Sequence, residues 1–259
     1  AIETNTMNDN SNQTAHRRRK LLRAIANLGS GLGSFLYKPS RARAFLSHLY
    51  EFRPFGYTPR IKTTNWEGAV GSTRDSLIQL RRCRLEYGNM SFEEIVFLCL
   101  LARKQKAKGI FEFGTFNGIT ALQLAINLED TSIYTLNLPP DDMHNVTELG
   151  SYHRDQQLHP GVAGSGTAFL GQPEAVRITQ LFGNSTDFDY QPYCGTVDFV
   201  FVDACHDYAF VKSDTGNALR MLAEKGGTII WHDFPNAPGV KQCLEEFSGT
   251  HQIYHVGTT

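Results

Sequence analysis

Residues 109–125, GIFEFGTFNGITALQLA, place a buried strand, a glycine turn and a helix start in one uninterrupted stretch, and few architectures accommodate that succession. Ile110, Phe111 and Phe113 supply the apolar strand. Gly114 and Gly118 let the backbone turn tightly and approach a ligand where a side chain would collide. A helix opening near Ile119 then aims unpaired N–H groups at whatever lies before it. Two later stretches have the same character. Residues 196–208, TVDFVFVDACHDY, read as an apolar strand ending at Asp203, followed by a polar turn with His206 and Asp207; residues 226–234, GGTIIWHDF, enter through two glycines and end at His232 and Asp233. Ligands of open α/β sheets bind beyond the carboxyl ends of the strands. Three such strands would therefore deliver Glu112, Asp203, His206, His232 and Asp233 to one rim.

Strand and helix patterns alternate through the chain, the signature of a mostly parallel sheet flanked by helices, an α/β Rossmann-like fold. The predicted strands are 109–113, 132–137, 175–182, 197–202 and 227–232, with 251–256 as a final antiparallel element. Helical patterns precede them at 16–28, 41–52 and 73–87, the last closing at Gly88. Ser91 and Glu94 have the spacing of a capping box for a helix over 91–104. This gives a disordered tail over 1–15, rich in Asn, Thr and Ser, a helical extension over 16–90, and one α/β domain over 91–259. Within the domain, residues 139–173 make a connection too long for an ordinary turn. Such connections tend to be functional or disordered, and this one reads as a substrate-side lid with Tyr152, His153 and Arg154 as contacts. The loop over 53–71 carries Phe55, Tyr57 and Trp66, which either cover a substrate or pack on the core.

Charge and cysteines exclude several classes. The formal net charge is -1, which gives no general reason to expect a polyanionic partner such as nucleic acid. Between residues 11 and 50 there are eight Arg or Lys and no acid, a basic arm suited to docking on the domain, on a second subunit, or on an anionic surface. No stretch is long and apolar enough to span a membrane. The five cysteines are odd in number and lack C-x-x-C spacing, so neither a disulfide framework nor a structural zinc site is expected. That usage suits a reducing cytoplasm, and Cys205 reads as a small residue filling a turn.

The segments EFGTFNG, TLNLPPD, LFGNS, VDFVFVDACHDY and GGTIIWHDF, spread over about residues 91–256, together resemble the class I S-adenosylmethionine-dependent methyltransferases. The resemblance is to the divalent-metal-dependent small-molecule O-methyltransferases, which include catechol and macrocin O-methyltransferases and cephalosporin hydroxylase-like proteins. It implies S-adenosylmethionine as cofactor, with Glu112 fixing the methionine portion and the backbone of Gly114, Thr115, Phe116, Asn117 and Gly118 lying close to it. Asn137 stands at the ribose position and Asn184 and Ser185 beside the adenine, places where acids are usual. Asp203 borders the cofactor and, with Asp233, holds a divalent metal; His232 is a candidate third ligand. Two carboxylates with water and substrate oxygens fit magnesium, whereas a His ligand tilts the choice toward manganese or iron. His206, three residues after Asp203, stands where related enzymes carry a base, and imidazole titrates in the range a general base needs.

The implied reaction is methyl transfer to a hydroxyl of a small molecule, with a sugar or glycosylated metabolite as one candidate. Two other functions compete. The neutral Asn137 and Asn184 keep open a catalytically degenerate protein that binds a ligand through the same fold. An NAD-linked oxidoreductase is disfavoured, because Asn117 replaces the middle glycine of the dinucleotide fingerprint and no acid ends the second strand.

Overall fold

The computed structural model describes residues 61–73, 76–84, 88–139 and 164–257. The expectations for the tail over 1–15, the helices at 16–28 and 41–52, and Phe55, Tyr57, Tyr152, His153 and Arg154 lie outside the described residues, as does most of the 139–173 connection. The described elements begin with β1 (Lys62–Thr64), α1 (Trp66–Val70) and α2 (Phe92–Lys104). There follow β2 (Gly109–Phe113), α3 (Ile119–Asn127), β3 (Ser132–Asn137), β4 (Ile178–Phe182), β5 (Phe199–Val202) and α4 (Tyr208–Met221). The last elements are β6 (Thr228–Trp231), α5 (Pro238–Phe247) and β7 (Tyr254–Val256).

Five strands form a parallel sheet in the order β4-β3-β2-β5-β6. β2 is central and wholly buried, which is why residues 109–113 read as a continuous apolar run interrupted only by Glu112. Side chains alternate between the faces. Ile110, Phe199 and Phe201 pack with α2 and α3, while Phe111, Phe113, Val200 and Val202 pack with α4 and Tyr190. Each fully buried phenylalanine contributes roughly 1.5–3 kcal/mol of transfer free energy. At the lower end of the sheet the buried Asp198 carboxylate accepts from the N–H groups of Lys108 and Gly109, tying β5 to the start of β2.

The capping box is present: Ser91 Oγ accepts from Glu94 N–H at 3.2 Å, and Glu94 Oε2 accepts from Ser91 N–H at 2.7 Å. Acids in the first turn and Arg103 and Lys104 in the last complement the helix dipole.

Three expectations are corrected. The described residues 76–84 of the helix expected over 73–87 are non-helical. Ile78, Leu80 and Cys83 lean on the core, while Leu77 is 88% exposed. Side-chain amides of α3 take the place of a neighbouring strand: Asn127 pairs with the N–H and C=O of Gln79, and the fully buried Gln123 with those of Arg81. β7 covers only the end of the expected 251–256 strand and does not extend the main sheet; it pairs in parallel with β1 as a separate two-stranded sheet. The fourth strand begins at Ile178 because Pro173–Arg177 form a 3₁₀ turn, with Pro at its start.

Among the described residues no helix is long and apolar enough to cross a membrane. β6 ends the main sheet, and its outer side borders a cavity of about 950 Å³. That cavity reaches from Glu94, His232 and Asp233 along β6 to Tyr254 and Val256 of β7.

Candidate active site

Register brings the strand ends to one level. Phe113 pairs with Leu136 on one side and Val202 on the other, and Val202 with Trp231. The next residues, Gly114, Asn137, Asp203 and His232, therefore emerge together, and their N–H groups continue the ladders: Gly114 to Leu136 O, Asp203 to Phe113 O and His232 to Val202 O. Asp233 follows with φ 59, a left-handed conformation that Asp tolerates better than most residues. Four of the five expected rim residues gather in one cluster: Asp203, His206, His232 and Asp233. Glu112 lies behind them inside the sheet, 1% exposed.

In the cluster, His206 Nε2 lies 2.8 Å from Asp233 Oδ2 and 3.7 Å from Asp203 Oδ1. His232 Nδ1 lies 3.1 Å from Asp233 Oδ2 and 3.4 Å from Asp203 Oδ1, and its Nε2 is 3.3 Å from Glu94 Oε1. Burial opposes the imidazolium of His206, but the hydrogen bonds and charges of Asp203 and Asp233 outweigh it and carry its pKa up to about 10. His232 is raised for the same reason, with Glu94 adding to the two aspartates. For Asp233, burial pushes upward, yet the two imidazoles hold it below the usual carboxylate range. Glu94 is held at about 2, mainly by its contact with His232.

Asp203, His232 and Asp233 each offer one ligand atom, and these atoms lie within 4.8 Å of one another. One nitrogen and two carboxylate oxygens at that spacing fit a divalent cation, and the crowding of three acids on His232 shows how much positive charge the cluster accepts.

Behind the cluster, Glu112 Oε2 lies 2.5 Å from Thr135 Oγ1, which lies 2.7 Å from Thr115 Oγ1. Burial pushes the Glu112 carboxyl up to about 8; the Thr135 hydrogen bond opposes this and the Asp203 charge adds to it. A hydroxyl has one proton to give. With Glu112 protonated, the three groups form a single run from Glu112 to Thr135 to Thr115.

The tight turns read in the sequence are present in the glycine loop, and packing within the protein adds a further reason for them. At Gly114, φ is +96 and an added Cβ would stand 2.2 Å from the carbonyl oxygen of Asp203. At Gly118, φ is +81 and a Cβ would stand 2.6 Å from the Phe169 ring. Packing within the protein requires both glycines, so their presence is no independent sign of a ligand. The helix start is also partly engaged, since Asn117 Oδ1 accepts from Ile119 N–H and Asn117 Nδ2 donates to Asn89. Residues 166 and 168 close over the loop: Gly166 N–H donates to Phe116 O and Ala168 N–H to Asn117 O.

The remaining candidates sit at the ends of β3 and β4. Asn137 Nδ2 donates to Leu138 O at 3.1 Å. Asn184 Oδ1 accepts from the N–H and hydroxyl of Thr186, and Ser185 O accepts from Tyr190 OH. Two residues in this site escaped the sequence reading. Glu94 was visible only as a helix cap, and its contact with His232 spans 138 positions. Thr135, fully buried beside Glu112, has no local signal.

Residues 111–234 match the family model described as a methyltransferase domain. No curated protein sequence matches the chain at a significant level. Among solved structures the chain is similar to the O-methyltransferase TomG from Streptomyces achromogenes, involved in tomaymycin synthesis and in complex with SAM, at 22% identity and a TM-score of 0.40, covering 63% of this chain and 71% of that one. It is similar to the O-methyltransferase from Bacillus cereus in complex with SAH at 20% identity and a TM-score of 0.41, covering 64% and 73%. It is also similar to the SAH-bound methyltransferase PaMTH1 of Podospora anserina at 20% identity and a TM-score of 0.40, covering 62% and 70%.

Proposed function

We propose that this chain, which matches the methyltransferase domain family model over residues 111–234, moves a methyl group from S-adenosylmethionine to a hydroxyl oxygen of a small molecule with the help of a divalent metal. The observation that carries the reading is the convergence of Asp203, His206, His232 and Asp233 at strand ends directly against the Gly114 turn. Asp203, His232 and Asp233 would hold the metal. When bound, a divalent cation supplies Lewis-acid polarisation of the acceptor oxygen, lowering its pKa.

The chain's own residues supply the rest. Asp203 and Asp233 would hold the cation, and His206, relieved of the negative charge that holds its proton, would be able to accept one from the acceptor hydroxyl. The loop from Gly114 to Gly118 would take the methionine end of the cofactor, with Glu112 beneath it, while Asn137 and the turn at Asn184 and Ser185 would take the nucleoside. Transfer itself needs in-line alignment more than further chemistry.

Calorimetric titration with S-adenosylmethionine, followed by turnover assays on a panel of hydroxylated acceptors with and without chelator, tests the proposal. His206→Ala should keep cofactor and metal bound and slow turnover roughly 10²–10⁴-fold, the usual worth of a general base. Full activity in chelator removes the metal; cofactor binding with no turnover on any acceptor favours a binding protein built on the same fold.

A further inference from the structure

Glu94 occupies the third position of α2, and its two oxygens have different partners. Oε2 accepts from Ser91 N–H and closes the capping box, while Oε1 lies 3.3 Å from the buried Nε2 of His232, an ion-pair contact short of hydrogen-bond alignment that leaves Nε2 with this carboxylate as its facing charge. The other ring nitrogen, Nδ1, faces Asp233 and Asp203 at 3.1 and 3.4 Å. The two nitrogens of an imidazole have distinct duties, because a ring that coordinates through one carries its proton on the other. A carboxylate behind a ligating histidine fixes that proton, sets the ring's orientation and raises its basicity. About half of the Glu94 side chain is exposed, 48%. An ion pair that exposed is ordinarily worth little, since two side chains must be ordered to form it. Here the carboxylate is already fixed by the helix cap, so the contact with His232 requires little further ordering.

We propose that Glu94 is a positioning residue: it holds the His232 proton on Nε2, presents the Nδ1 lone pair between Asp203 and Asp233, and so makes this a site for manganese(II) in preference to magnesium. The inference rests on the metal reading above. It follows from ligand chemistry, since manganese accepts carboxylate oxygens together with an imidazole nitrogen while magnesium favours an all-oxygen shell that keeps several waters. The capping box joins the helix start to the cluster, so the same glutamate secures α2 and aims the ligand.

The test uses the full chain and manganese(II) as probe, with free ion followed by electron paramagnetic resonance and ligand nitrogen by electron spin echo. In Glu94→Gln the amide oxygen still accepts from Ser91 N–H, but the NH₂ then faces Nε2 as a donor and drives the ring proton to Nδ1, where it blocks coordination. Ser91→Ala removes half of the cap and leaves the carboxylate. Glu94→Gln should weaken manganese(II) binding about 10–100-fold, the usual effect of losing such a partner, abolish the nitrogen coupling, and shrink the preference over magnesium. Ser91→Ala should lower the melting temperature and keep the affinity. Unchanged affinity and nitrogen coupling in Glu94→Gln would return Glu94 to a capping role alone. An equal loss in Ser91→Ala would assign the effect to helix position and overturn the proposal. A wild-type chain that binds no manganese(II) defeats the metal reading itself, an outcome distinct from the other two.

Discussion

Replacing Glu112 with glutamine should remove the pH dependence that this one buried group imposes on stability. Its carboxyl rises from an ordinary 4.5 to about 8, chiefly because burial disfavours the charged form. The folded state therefore holds the proton more tightly than the unfolded chain. The stabilisation from that protonated form is present in full below pH 4.5 and is lost as pH rises through 8. At about 1.4 kcal/mol per pKa unit the whole interval is worth about 5 kcal/mol as an upper bound. That is a large fraction of a typical domain stability of ~5–15 kcal/mol. Between pH 6 and 7.5, urea unfolding curves for the ligand-free wild type and Glu112→Gln should diverge by about 2 kcal/mol in favour of the variant, since a neutral amide has no proton to lose. Other titrating groups largely cancel in the difference. Parallel stability curves from pH 5.5 to 8.5 would refute the argument, because they would mean that Glu112 ionises in the fold as readily as out of it. If the ammonium of S-adenosylmethionine reaches Glu112, wild-type affinity should also rise with pH toward 8, by up to about tenfold per unit, and be flat in the variant.

Gly114→Ala should destabilise the chain more than Gly118→Ala, because the first methyl group meets the backbone carbonyl oxygen of Asp203 at 2.2 Å, whereas the second meets the Phe169 ring at 2.6 Å and the backbone of Gly166 only at 2.9 Å. Both positions also have positive φ, so each should cost about 1 kcal/mol or more; thermal melts giving the opposite order would contradict the packing account. Gln123→Leu leaves the Arg81 N–H and C=O without their amide partner and should cost about 1–3 kcal/mol, the usual cost of unpaired buried polar groups. Hydrogen exchange at the Arg81 amide should accelerate first, and unchanged protection there would rule out the side-chain ladder as its support.

The sheet was legible because its strands are short apolar runs closed by polar residues, and the run 197–202 can hardly be anything else once β2 is placed beside it. Asp203, His206, His232 and Asp233 were legible for the same reason, since a charged residue at the end of a buried strand has only the rim to occupy. The stretch 76–84 was misread because its hydrogen-bond partners are the amides of Gln123 and Asn127, more than forty residues away, and hydrophobic spacing carries no record of them. The pairing of β7 with β1 joins residues near 255 to residues near 63, again a contact without local trace. Gly114 and Gly118 were legible as places where a side chain is intolerable; the structure adds that the protein's own packing forbids one at both, a reason the sequence does not separate from a ligand.

The close seating of Gly114 on the Asp203 carbonyl bears on how such a protein could acquire new substrates. The loop proposed for the methyl donor and the strand end proposed for the acceptor's activation share a wall with no spare volume. Any substitution that enlarges the loop is transmitted to the acid on the other side. The far side of His232 and Asp233 borders a cavity lined by Trp66, Trp231 and Phe234, on the opposite side from the Gly114 contact. On the proposed reading, a change at the donor loop would be felt at Asp203, whereas a change in the cavity beyond His232 would bear on the acceptor alone.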